Sequence, residues 1–483
     1  MRNRSLALAL FLIVASAAYG HVGSPDVYFD GQAGPYHILL TVTPPGMIPG
    51  VARVQARVVS GDVSNITIEP VYVNGKDQGL PPTPDSMQST AGDPQSFSGN
   101  VWLMQSGAWD IRVAVSGSQG SGKMAVPVAA YASRTLPMQK ALAVLLFGLM
   151  LFLSIGIVSI AGAAAREGVV SPGTSPSAKN RRSGRIAMAV AAVMVVTMLA
   201  LGNWWWNVQA ADLKHTMLYN APPLKLSFAG PDQLTLQMEE NFWHKTRRTE
   251  WSMDLIPDHG HLMHAFLLRL PAMDRFYHLH PEQASDGFSL QLPTMPAGKY
   301  KVFADVVRGT GFPETMVSEI DLPDVSGKPF AGDDSGVAAS ELEKSAPGDT
   351  SPLASGDRMV WDHDSSPLKA GQLAWFRFHV EDAQHKTVSD LEPYMRMAGH
   401  AEFVKSDLSV FAHIHPAGSV SMASLMIAQK DSGLPMDHGS MDATPAEVSF
   451  PYAFPQPGDY RLFVQFKRHG QIETGVFDTH VTN

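Results

Sequence analysis

Two apolar stretches separated by a short basic loop constrain this chain more than any other feature in it. Ala141 to Ala165 carries no charge, and Ile186 to Gly202 runs into Trp204-Trp205-Trp206. A helix of about 20 apolar residues crosses the hydrocarbon layer, and tryptophan favours the lipid–water interface. The connecting loop holds Arg166, Lys179, Arg181, Arg182 and Arg185 against a single acid, Glu167. Loops rich in Lys and Arg stay in the cytoplasm. The sequence therefore predicts a two-pass hairpin with membrane helices over 138–165 and 186–206 and a cytoplasmic loop over 166–185. The remainder is expected on the periplasmic or extracellular side of the inner (plasma) membrane.

The N-terminus points the same way. Arg2 and Arg4, the apolar run Leu6 to Val14, and the small residues from Ala15 to Gly20 have the layout of a secretory signal peptide over 1–20. Cleavage after Gly20 makes His21 the mature N-terminus; cleavage after Ala18 is the competing choice. Cysteine is absent, which leaves an exported chain without disulfides or thiolate metal ligands. Metal ligands must come from its 18 His, its 24 Met and its carboxylates. The net charge of −9 argues against a nucleic-acid partner, because binding phosphates needs a concentrated basic surface.

A chain of 483 residues is too long for one core. Outside the apolar stretches, short runs with period-two alternation, such as Tyr36 to Val42 and Trp109 to Val115, are punctuated by Gly, Pro and Asn. That pattern predicts a mainly β chain of three immunoglobulin-like antiparallel β-sandwiches over 21–132, 224–323 and 359–483. The acidic Gly/Ser/Asp/Pro-rich stretch 325–357 reads as a flexible linker.

The last two soluble segments repeat one another. One contains His264-Ala265, Phe276-Tyr277-His278-Leu279-His280-Pro281 and Pro296 to Phe303; the other contains His400-Ala401, Phe411-Ala412-His413-Ile414-His415-Pro416 and Pro457 to Phe463. Residues two apart on a strand share a face at roughly 6.5–7 Å, so His-x-His can converge on one ion. A symmetric hairpin places His400 opposite His413, with His415 and Glu402 on the same face and Ala401, Phe403, Val410, Ala412 and Ile414 toward the core. Its counterpart, centred on Pro271, places His264 opposite His278, with His280 alongside. Two metal-binding trios result: His264/His278/His280 and His400/His413/His415. The alternative is histidines on a solvated sheet face. Asp258-His259-Gly260-His261 lies beside the first trio, and strand parity points His261 and Met263 away from it.

Two further ligand sets are readable. Met436, His438 and Met441 form a Met-Asp-His-x-x-Met pattern in a loop, and thioether with imidazole suits copper. If His21 is the N-terminus, its amine and imidazole, with His37, form a brace for copper.

The last segment resembles the YtkA-like and FixH-like group of exported immunoglobulin-type domains, related in style to CopC-like copper carriers. The resemblance rests on Leu391-Glu392-Pro393-Tyr394-Met395, His400, His413-Ile414-His415-Pro416 and Gly458-Asp459-Tyr460, with Gly107 to Val113 similar to the group's closing strand. It implies a sandwich fold and a role in copper or cytochrome-oxidase maturation. The sequence thus predicts a membrane-anchored metal-binding protein without catalytic residues, with copper favoured and zinc the other fit. Its expected partners are the metal ion, the membrane and a metal transporter or oxidase. Alternatives are a structural subunit of such an assembly and a histidine-brace copper oxygenase. No nucleophile–base pair, phosphate loop or paired-carboxylate signature supports hydrolysis.

Overall fold

The computed structural model describes residues 26–73, 82–239, 254–342, 348–363, 366–435 and 446–483. The chain is mainly β, arranged in several sheets, with two long apolar helices. In the first unit, a sheet of Val27–Ala33, Tyr36–Thr43, Gly50–Ser60, Asp93–Leu103 and Gln88–Thr90 covers one of Asp85–Ser86, Val63–Val73, Gly107–Gly117 and Gly120–Ala130. The alternation seen in the sequence does the sorting. Along Gly50–Ser60, Ala52, Val54, Ala56 and Val58 turn inward while their neighbours meet solvent.

The second and third units each pair a four-stranded sheet with a larger one. In the second, His264–Leu270 lies between Gly298–Arg308 and Arg275–Leu279. In the third, His400–Lys405 lies between Gly458–Arg468 and Phe411–Ile414. Ala401, Phe403, Val410, Ala412 and Ile414 enter the third unit's own core, as their parity predicts.

The opposite faces of these larger sheets are not solvated; they pack against each other. Phe276 stacks on Phe463 at 4.1 Å and 11°, and Phe303 stacks on Phe411 at 4.1 Å and 8°. Phe276 and Phe411 hold the same place in the two repeats, as do Phe303 and Phe463. The contact is therefore reciprocal, like the isologous interface of a two-fold dimer written into one chain. Phe266, Leu268 and Val404 fill the same cluster. Buried Arg461, paired with Asp478, crosses this interface to donate to the carbonyls of Met273 and Ser340 at 2.8 Å each.

The first unit joins the pair. Asp30 N donates to Ala417 O and Ser419 N to Tyr28 O, while Val420 and Leu425 enter the first unit's core. Where the chain leaves for the hairpin and returns, Tyr219 N donates to Ala132 O at 2.7 Å and Phe312 packs on Tyr131.

Helices α1 (Lys140–Glu167) and α2 (Ala178–Met217) are both long and apolar enough to cross a membrane. Helix α2 is longer than expected at both ends and absorbs Lys179, Arg181, Arg182 and Arg185. Ser177 caps it by accepting from Asn180 N, and Ala-Lys-Asn-Arg-Arg tolerates helix well, so the loop shortens. The stretch read as a flexible linker also differs from expectation. Ser335–Ala338 pairs with Arg275–Leu279, and Thr350–Pro352 pairs with Arg358–Asp362. These are short edge strands, whose polar composition conceals them.

Replacing one stacked ring tests the reciprocal interface. Phe463→Ala should cost about 3 kcal/mol or more, as for other buried aromatic truncations, whereas Trp102→Ala at an exposed site should not. Denaturant unfolding of the detergent-solubilised chain, followed by hydrogen exchange at 264–270, reads both.

Candidate metal centre

The two hairpins carry their histidines onto the packed faces, but their register differs from the symmetric expectation by two residues. Glu402 stands opposite His413 and Ala401 opposite Ile414; Phe266 stands opposite His278 and Ala265 opposite Leu279. In the third unit the cause is the turn. Asp407 accepts from Ser409 N and Ser409 Oγ, and Leu408 adopts φ 61, which moves the loop to 406–409. A shift of two preserves the face, so the histidines still project together.

His264, His278 and His280 come together as the sequence predicts, with one nitrogen from each within 4.8 Å of the others. Their hydrogen bonds fix which nitrogen faces inward. His264 Nε2 donates to the carbonyl of Asp258 at 3.1 Å, His278 Nδ1 to Gln465 Oε1 at 2.9 Å, and His280 Nδ1 to Asp334 Oδ1 at 2.9 Å. Each partner is an acceptor, so each ring spends its N–H outward. The lone pairs of His264 Nδ1, His278 Nε2 and His280 Nε2 are left facing one another, the first two only 3.1 Å apart. Facing lone pairs repel, whereas two nitrogens about 2.0–2.1 Å from a tetrahedral zinc ion lie about 3.3 Å apart. A cation is what this arrangement fits.

The second group is His259, His400 and His415, again with donor atoms within 4.8 Å of one another. His259 Nδ1 donates to Met395 O and His415 Nδ1 to Val420 O, both at 2.9 Å. His259 Nε2, His415 Nε2 and both nitrogens of His400 are buried without a protein hydrogen bond among the described residues. The expected trio is thus altered: His259, from the second unit, stands where His413 was expected. His413 keeps the same face, but its Nδ1 lies 3.3 Å from Asp305 Oδ2. Its ring is 4.6 Å from that of His415 and 5.7 Å from that of His264, which places it between the groups. The second group thus takes histidines from both units, while the first is all from the second unit and meets the third through Gln465.

Burial keeps these rings neutral. It pushes His259 and His264 down to about 3 and lowers His278, His280, His400, His413 and His415, with neighbouring imidazoles adding to the effect at most of them. A neutral imidazole is the ligating form. Glu402 sits fully buried beside them, 3.8 Å from His278 Nδ1, with both oxygens unbonded among the described residues; burial pushes its carboxyl well up.

The other expected ligands fall elsewhere. His37 lies in the first unit, its Nε2 2.6 Å from Asp30 Oδ1. His21, Met436, His438 and Met441 lie outside the described residues. Met263 enters the second unit's core, but His261 stacks on His280 with ring centres 3.9 Å apart. Strand parity does not reach His261, because the strand begins at His264. Sequence reasoning also missed His259, Asp334, Asp305 and Gln465. A signal for His259 was present. Leu255-Ile256-Pro257-Asp258-His259 repeats Leu391-Glu392-Pro393-Tyr394-Met395, with φ near 50° at both His259 and Met395.

Comparisons with known proteins name no function. Residues 354–483 match the model of a family described as a domain of unknown function, DUF8832. A search of curated proteins returns no match. Among solved structures, similarity extends to an engineered protein (14% identity, 19% of this chain and 20% of that one, TM-score 0.14). It extends also to E. coli alpha-2-macroglobulin (10% identity, 96% and 23%, TM-score 0.18) and to a putative membrane anchored protein from Corynebacterium diphtheriae (9% identity, 95% and 96%, TM-score 0.14). The aligned part thus spans 20% and 23% of the first two structures. At these scores none of them bears on the site.

The outward acceptors should matter as much as the rings they hold. Asp334→Ala should weaken metal binding about 10- to 100-fold, the usual effect of losing such a partner. Asp334→Asn, which keeps an acceptor oxygen, should recover most of it in competition with a chromophoric chelator.

Proposed function

We propose that this chain is a membrane-anchored metal-binding protein that holds one ion in each of two buried histidine trios between its second and third soluble units. The observation that carries this reading is the set of inward-facing imidazole lone pairs, fixed by outer acceptors at five of the six rings, His400 being the exception. Three imidazoles with room for a fourth ligand suit copper or zinc. Copper is the favoured ion. Met395 and Met397 are buried where the other repeat has His259 and His261, the sequence pattern of Met436, His438 and Met441 offers further thioethers, and the likeness to YtkA-like and FixH-like domains points the same way. On this reading the three units are immunoglobulin-like sandwiches, and the protein is a copper chaperone, buffer or resistance component that serves a transporter or oxidase.

The same reading places the soluble units outside the cytoplasm. The basic loop supports that side, and the bond between Tyr219 and Ala132 supports both units emerging from one face of the hairpin.

Two experiments test this. Metal analysis of the full chain isolated from its own membrane should find about two ions per chain, one for each three-histidine set. His264→Ala with His278→Ala should remove one, and His400→Ala with His415→Ala the other; a metal-free wild type would sink the proposal. Because the chain has no cysteine, single substitutions report topology cleanly. Ser285→Cys should react with an impermeant thiol reagent on intact cells or spheroplasts, and Ser175→Cys only after permeabilisation.

A further inference from the structure

A cavity of about 170 Å³ lies where the three units meet. Its wall takes His264 and Asp305 from the second unit, His413 and His415 from the third, and Ala129 from the first. One histidine of each trio therefore lines the same space. Asp305 Oδ1, His413 Nε2 and Tyr452 Oη, all on residues of this wall and none of them a ligand atom of either trio, are buried without a hydrogen-bond partner among the described residues. Buried polar atoms in native proteins are otherwise paired, so several around one cavity mark the place of a polar or charged occupant. The volume also exceeds what a single water needs.

Asp305 and His413 define what that occupant is. They approach one another at 3.3 Å from facing units, one a carboxylate and the other an imidazole with its Nε2 unspent. Asp258, whose Oδ1 accepts from Ala423 N and whose carbonyl holds His264, adds a second carboxylate to the wall. Carboxylate oxygen with imidazole suits a divalent transition-metal cation, and the imidazole by itself also accepts copper. His413 lies outside both trios and between them, where an ion in transit would pass.

We propose that this cavity is the loading vestibule of the metal centre: a cation enters at the junction of the three units, is held by Asp305 and His413, and passes to the trios through His264 and His415. This rests on the trios being metal sites. It also gives the first unit a task, since its residues close one side of the vestibule.

The test uses the full chain in detergent, with Zn(II) alone and separately Cu(I) alone, delivered from a chromophoric chelator in a stopped-flow instrument. Asp305→Asn removes the receiving carboxyl group, and Ala129→Trp fills the cavity from the first unit without replacing a ligand. Both variants should take up the wild-type number of ions at equilibrium but about ten-fold more slowly or worse, the scale on which a charged cleft accelerates capture. An unchanged final ion count also shows that each variant is folded. Uptake within two-fold of wild type in both variants would overturn the vestibule while leaving the trios standing, as would a lowered equilibrium count in Asp305→Asn. A wild type that binds neither ion removes the vestibule and the trios together.

Discussion

The packing of two outward sheet faces across the reciprocal Phe276–Phe463 and Phe303–Phe411 stacks is the contact on which the rest of this centre depends. A sheet face bearing His264 and His278 in one unit, or His400, Glu402 and His413 in the other, would titrate freely in water. Pressed together, the two faces exclude solvent, hold the imidazoles neutral and leave their inner nitrogens facing one another. Hydrogen bonds with carbonyls, Gln465 and Asp334 then decide which nitrogen points inward at every trio ring but His400. Burial provides the ligating form, and the outer acceptors provide its direction.

The repeats have diverged where the chemistry is. His278 meets Gln465 of the other unit, and the equivalent His413 meets Asp305, which occupies the equivalent position. His259 and His261 correspond to Met395 and Met397, and Phe266 to Glu402. A symmetric scaffold thus carries an asymmetric centre, with most of its nitrogen ligands from the second unit's turn and both hairpins. The scaffold needs equivalence at the aromatic stacks; the ligand sphere does not.

Much of this was legible in the residues themselves. The helical hairpin follows from uninterrupted apolar length, and the His264/His278/His280 trio follows from strand parity, which survived an error of two in register. The register itself was hidden because it depends on an Asp407 side chain competing for the turn. His413 was assigned to the wrong group for a different reason. Parity says which face a side chain takes, but not what lies opposite, and here another unit lies opposite. For the same reason Asp305 and Gln465, in strands without any metal-ligand pattern, could not be found from spacing. The strand Ser335–Ala338 was missed because edge strands tolerate the Gly, Ser and Asp that usually mark a linker.

X-ray absorption at the metal edge of the loaded full-length protein tests the central claim most directly. Coordination by the two trios predicts a nitrogen shell at about 2.0–2.1 Å for zinc, with the outer-shell scattering of about three imidazoles per ion. A first shell of oxygen alone, or one dominated by sulfur without imidazole scattering, would contradict it.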